Sequence, residues 1–322
     1  MRRFLSGREL ALALAILAVA VVMALGAPGF FRLENQRDLL MANMPVAIVA
    51  LGMTLVILTG QIDISVGSQF ALCSVAAGLF AKAGLPTPAA ALATCICGGL
   101  LGALNGALVA YARIPSIVVT LATMVALRDA LRWATEGAWV QDLPPGFQWY
   151  GQSQITSEML TFAVVAVLAA VFAWGLRYLA AGRAFYAAGS NAEAARLAGI
   201  DPARVVFAAF TVTGTLTGLA AMCNAVRFNQ IPSNAGIGLE LQVIAAVIVG
   251  GVAVTGGQGT LLGALLGVTL LGMIGPALTF LGISAYWERA IQGAIILIAV
   301  AMDSPRLARR RALTAEGHAQ RA

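Results

Sequence analysis

The sequence predicts an all-α polytopic membrane protein of about ten transmembrane helices, some of them short or broken. Three observations carry this. Charged residues make up 11% of the 322 residues and hydrophobic ones 60%, whereas a soluble domain is about a quarter charged. Apolar runs of about 20 residues recur, the length at which a helix spans the hydrocarbon core, and mean hydropathy is +0.88. Stretches such as "LALALAILAVAVVMAL" (10–25) are apolar on every side. A membrane β-barrel would instead alternate polar and apolar residues over about 10 positions.

The runs place spans at about 10–26, 39–59, 66–83, 88–111, 115–133, 158–179, 205–225, 239–254, 259–281 and 287–302. The N-terminal "MRRFLSGREL" resembles a signal peptide or a twin-arginine leader. It lacks a small-x-small cleavage site in a polar flank, so the run reads as an uncleaved first span. Arg2, Arg3 and Arg8 precede that span, Arg306, Arg309, Arg310 and Arg311 follow the last, and Arg177, Arg183, Arg196 and Arg204 cluster centrally. The net charge of +6 is therefore a positive-inside signal rather than a nucleic-acid one. It puts both termini and 177–204 in the cytoplasm, which requires an even number of spans. Residues 1–9 are then a cytoplasmic N-terminus, 10–303 one transmembrane domain, and 304–322 a basic cytoplasmic tail. Loops 134–157 and 226–238 fall outside.

Gly98, Gly102 and Gly106 repeat every four residues, as do Gly259, Gly263 and Gly267, a spacing that lets helix backbones approach closely in lipid. Two stretches, "VILTGQIDISVGS" (56–68) and "VIVGGVAVTGGQGT" (247–260), interrupt apolar runs in similar ways. Paired interruptions point to a midplane site built from broken helices. In the first, Asp63 or Ser65 can cap the helix that starts near Val66, or Asp63 can face a pathway, since a carboxylate at membrane depth is costly. Asn43, Asn105, Thr120, Thr123 and Asn224 suit either interhelical hydrogen bonds or a weakly polar path for a neutral polyol. The loop "WATEGAWVQDLPPGFQWYG" (133–151), with Trp139 and Asp142, is either an interfacial aromatic belt or, with Arg227, a docking surface. Cys73, Cys95, Cys97 and Cys223 read as small core residues, without disulfide or metal.

Several chemistries are excluded. The sole lysine, Lys82, lies in "FAKAG", so no Walker A loop exists and the chain is no P-loop ATPase. The sole histidine, His318, sits in the polar tail, leaving no histidine metal cluster or triad. An enzyme is not expected, and no cofactor is required of this chain.

Between two spans lies "GSNAEAARLAGID" (189–201), a charged stretch that reads as one short helix. Glu193 near its start and Arg196 three residues on suit the helix dipole and a local pair, and Gly199 supplies a stop. It is either an amphipathic connector lying on lipid or a handle for a soluble motor.

"EAARLAG" (193–199) resembles the EAA-xxx-G core of the coupling loop in permeases of bacterial ABC importers, without that motif's I-x-L-P continuation. "GQIDISVGS" (60–68), "GALNGALVAYARIPSIVVTLATM" (102–124), "GRAFYAAGSNAEAARLAGI" (182–200), "LELQVIAAVIVGGVAVTGGQGTLLGALLG" (239–267) and "GISAYWERAIQGAIILIAVAMD" (282–303) follow in order. Together they resemble the ribose-type monosaccharide permease family over about 40–303. "GAWVQDLP" (137–144) and "NQIPSNAGIGLEL" (229–241) lean toward its rhamnose and autoinducer-2 branch. Gln61 stands where many relatives carry Gly. The resemblance implies a bacterial inner-membrane permease and two permease subunits around a central pathway. Its other partners would be cytoplasmic ATPase subunits that hold ATP and magnesium, and a periplasmic sugar-binding protein. It puts the coupling contact on Glu193, Ala194, Ala195 and Gly199, with Asn191, Arg196 and Leu197 in the same stretch. The alternative from another class is an ion-coupled secondary transporter, which would bury more ionisable residues in mid-span.

Overall fold

In the computed structural model, which describes residues 7–284, 286–288, 290–295 and 297, nine of the ten expected spans coincide with helices. The chain forms α1 (Gly7–Gly26), α2 (Leu33–Leu58), α3 (Val66–Lys82), α4 (Thr87–Ala110), α5 (Ser116–Thr135) and α6 (Gln154–Tyr178). There follow α7 (Ala180–Ser190), α8 (Ala192–Leu197), α9 (Pro202–Ala225), α10 (Leu239–Val249) and α11 (Leu261–Phe280). Of the expected tenth span, residues 287–288, 290–295 and 297 are described and helical; its remaining residues, Arg2, Arg3 and the 304–322 tail lie outside the described residues. Six helices (α1, α2, α4, α6, α9 and α11) are long and apolar enough to cross a membrane, and α3 and α10 are shorter apolar helices.

Edges depart from the hydropathy reading for local reasons. α2 starts at Leu33 rather than 39, because its polar first turns are helical too. Asn35 and Gln36 donate to the Gly29 and Phe30 carbonyl oxygens at 2.7 Å each, anchoring the helix start to the preceding 3₁₀ turn. α10 stops at Val249 rather than 254, where Gly251 turns to φ +90°.

α2 is the central strut, with 83% of its most apolar stretch buried, packed among α9, α10 and α11. α4 and α9 make the most extensive helix pair. Gly98 and Gly102 lie against Gly214 and Gly218, where an added Cβ would strike backbone. This is the close approach that the four-residue glycine repeat predicts. In the second repeat, Gly263 and Gly267 abut Gly250 and Ala246 of the α10 region. Gly259 belongs instead to the preceding turn, against Val252.

Loops 136–153 and 226–238 are knitted together at one end of the bundle. Val140 and Ile231 exchange two backbone hydrogen bonds of 2.9 Å, and the Trp149 N–H donates to the Val226 carbonyl at 2.7 Å. Lys82 reaches the Gln141 carbonyl at 3.0 Å. The opposite end collects 59–65, 111–115, 179–201 and 250–260. Gly236, near the end of the 226–238 loop, reaches in from the first end to the start of α3, against Gly67 and Phe70.

Candidate functional site

The expected helix over 189–201 is corrected to two helices meeting at Asn191. That residue is extended (φ −161°, ψ 104°), which ends α7, and its Oδ1 accepts from the Glu193 and Ala194 N–H groups at 3.0 Å each. Asn191 thus caps α8, a helix of only six residues. At the other end Gly199 takes φ +81°. Its N–H donates to the Arg196 carbonyl at 3.0 Å, and the Ile200 N–H donates to that of Ala195 at 2.9 Å. This paired closure needs a left-handed residue, and glycine adopts it without strain. Glu193 and Arg196 form no ion pair. Arg204 pairs instead with Asp201, at 3.2 Å, while the Asp201 carboxylate caps α9. Ala195 is buried, and Glu193, Ala194 and Arg196 are exposed. Leu197 is 87% exposed.

Behind α8 the two interrupted stretches meet. The Gly257 N–H donates to the Leu58 carbonyl at 2.8 Å, joining the 250–260 turn to the end of α2. Ser190 Oγ donates to the Gly257 carbonyl at 3.4 Å and the Tyr186 hydroxyl to that of Gly259 at 3.2 Å. Gly189 sits between them: a Cβ there would overlap the Leu58 carbonyl oxygen and lie 2.7 Å from Gly257 N. α1 braces the same turn, with Thr260 donating to Glu9 at 2.6 Å and Arg8 to the Gly251 carbonyl at 3.3 Å. The end of α7, which leads through Asn191 into the exposed helix, is therefore fastened to both broken segments, at Gly189 by a backbone approach that leaves no room for a side chain.

Asp63, Ser65 and Asn105 come together, as a sealed knot rather than a cavity lining. All three are buried. Ser65 Oγ donates to Asp63 Oδ1 at 2.6 Å and accepts from Gln69 Nε2 and Asn105 Nδ2 at 2.8 Å each. The expected side-chain cap of α3 is absent: Ser65 holds the cap position without such a bond. Asp63 Oδ1 instead takes the Ser65 N–H, at 2.9 Å. Gln69 escaped the sequence reading, although it stands one helical turn beyond Ser65 on the same face. Thr120 adjoins the knot, donating to the Ser116 carbonyl at 2.8 Å and lying 3.5 Å from that of Ile62. Thr123 bonds back to Val119 and Asn43 to Leu39 within their own helices. Asn224 lies elsewhere, on the wall of a cavity of about 680 Å³ between α2, α3, α9, α10 and residues 284, 286, 288 and 292.

At the opposite end Trp139 is half-exposed and Asp142 exposed. Arg227 turns inward. Pro45, inside α2, has no N–H for the Met41 carbonyl, and Arg227 Nη1 fills that vacancy at 2.9 Å. Burial lowers the Arg227 pKa, opposed by Asp38 and Glu158 nearby. Glu158 is itself held by Arg37 and by Gln154 at 2.9 Å. Among the described residues no cluster suits a metal ion, and all four cysteines are free.

A family model described as "branched-chain amino acid transport system / permease component" matches residues 35–300. The chain is similar to the autoinducer 2 import system permease protein LsrC of Enterobacter sp. (strain 638), at 36% identity over 98% of this chain and 91% of the relative. It is 35% identical to that of Salmonella typhi over 92% and 86% of the two chains. Against that of Escherichia coli (strain K12 / DH10B) it is 36% identical over 90% and 85%. No solved structure matches.

Proposed function

We propose, from the premise that the chain belongs to the branched-chain amino acid transport permease-component family, that it is the membrane subunit of an ATP-driven importer. Its cargo is a small sugar-like solute: autoinducer 2, as the relatives' names suggest, or a monosaccharide such as rhamnose. Its place is the bacterial inner membrane, beside a second permease subunit.

The observation that carries this is α8. A six-residue helix capped at both ends, with Leu197 87% exposed, is poorly explained as a connector. It is well explained as a rigid handle for a soluble motor. The motor, a separate ATPase with its own nucleotide and magnesium, would push on Glu193, Ala194, Arg196 and Leu197. Load would then pass through Gly189 and Gly257 into the end of α2 and the 250–260 turn. Those segments border the knot on Asp63 and the short helix α10, so a rigid displacement there alters access along the bundle. A binding protein would dock at the opposite end, near Trp139 and Asp142, and release its cargo. Asp63, being sealed and hydrogen-bonded, serves to hold the break between α2 and α3 in shape.

The test is to tag the chain, extract it gently from its native membrane and identify what co-purifies. A Walker-A ATPase in near-stoichiometric amount, lost on Glu193→Lys, is expected. Its absence, under conditions that hold a known importer together, would refute the reading.

A further inference from the structure

The 680 Å³ cavity plays no part in the coupling reading. It falls within the size range of small-molecule sites, about 300–1,000 Å³. Pro45 lines it and lies near the middle of the 26-residue α2, about 20 Å from either end at 1.5 Å per residue. The cavity thus reaches the middle of the helix bundle. Its polar lining comes from three separate parts of the chain: Asn224 at the end of α9, Gln242 in α10, and Ser284, Glu288 and Gln292 beyond α11. Gln292 donates to Glu288 at 3.0 Å, which orients the carboxylate. Phe70 adds an apolar surface.

The chemistry of that wall selects a class of solute. Amides both donate and accept, and a carboxylate accepts from paired hydroxyls. Among the described residues lining the cavity none is lysine or arginine, and the one charged side chain is the Glu288 carboxylate, which repels an anionic solute. The N-terminus of α10, which begins beside the cavity, carries its own carboxylate: Glu240 Oε1 accepts from the Gly238 N–H at 3.2 Å. Its partial positive charge is therefore offset within the protein. An amino acid would bring its carboxylate charge to a wall whose one described charged side chain, Glu288, has the same sign. A polyol satisfies the wall and places its C–H face on Phe70.

We propose that this cavity is an intramembrane resting site for a neutral, hydroxyl-rich solute of monosaccharide size. The proposal rests on the transporter reading above and adds the place and the recognition chemistry within a single subunit. Binding is loose, because flexible side chains spread over a roomy cavity lose freedom on closing round a solute.

Saturation-transfer NMR on the full chain in nanodiscs tests it, with L-rhamnose and autoinducer 2 as probes and L-leucine as the contrast. Saturation is expected on at least one polyol and not on leucine. It should fall at least fivefold in Gln242→Leu, which removes an amide. It should fall equally in Ala42→Trp, which fills the cavity and removes no hydrogen bond. Gel filtration and circular dichroism verify the fold of each variant, and the tryptophan variant carries the test if the leucine variant does not fold. Saturation of leucine in preference to both polyols, no polyol signal, or an undiminished signal in a folded variant would overturn the proposal. ATPase co-purification is scored on the same preparation. ATPase without polyol binding removes the cavity assignment alone, and cavity-dependent polyol binding without ATPase removes the motor reading alone.

Discussion

Replacing Gly189 by alanine adds one methyl group at the point where α7, α2 and the 250–260 turn meet. The methyl would overlap the Leu58 carbonyl oxygen and lie 2.7 Å from Gly257 N, with Leu58 C at 2.9 Å. All three atoms are backbone, so no rotamer change relieves the clash. Keeping the junction closed costs an overpacking penalty of about 1–3 kcal/mol. Opening it costs the Gly257–Leu58 hydrogen bond of 2.8 Å, about 0.5–1.5 kcal/mol net. A junction weakened by about 2 kcal/mol shifts its open–closed balance roughly 30-fold. The apolar spans are untouched, so insertion should be normal. In proteoliposomes containing the co-purified ATPase and binding protein, uptake should fall at least tenfold while ATP hydrolysis continues. Gly146→Ala, whose added methyl meets nothing within 4 Å, should transport normally. Uptake by Gly189→Ala within twofold of the parent protein would refute the claim that force crosses this junction.

Ser65→Ala should destabilise the protein. It orphans the buried amide of Asn105, weakens the hold on that of Gln69 and removes one donor from Asp63. At about 1–3 kcal/mol per unsatisfied buried group, thermal aggregation followed by gel filtration should shift several degrees lower, and an unchanged midpoint would contradict the knot. Asn191→Ala removes the cap of α8 and should cost about 1 kcal/mol locally. The measurable effect is weaker retention of the ATPase on a column bearing the tagged permease, and Asn191→Asp, which keeps the capping oxygen, should restore it.

Much of the helical layout is legible in the sequence because lipid imposes one rule, that every backbone polar group be satisfied within its own segment. The glycine repeat at 98–106 likewise predicts close packing, and Gly214 of α9 supplies the partner face. What hydropathy misses is polar helix. The first turns of α2 are charged and amidated, so a window tuned to apolar runs starts too late. The division at Asn191 is a capping event, and Asn191 two residues before Glu193 carries its signature, but Ala and Leu on both sides conceal it. Gln69 is recoverable from its spacing to Ser65. The cavity is not recoverable from spacing, because Asn224, Gln242 and Glu288 meet only through tertiary packing. Arg227 shows the same limit: its partner is the Met41 carbonyl that Pro45 leaves free, a relation across 186 positions.

The most direct test of motor coupling is site-specific photo-cross-linking from Leu197, which is 87% exposed at the tip of α8. A photoreactive residue there, activated in native membranes, should capture a subunit containing a Walker A loop. The same probe at Trp139, on the opposite end, should not. Cross-linking from position 197 to lipid alone would mean that α8 lies on the bilayer surface, and the coupling account would fail.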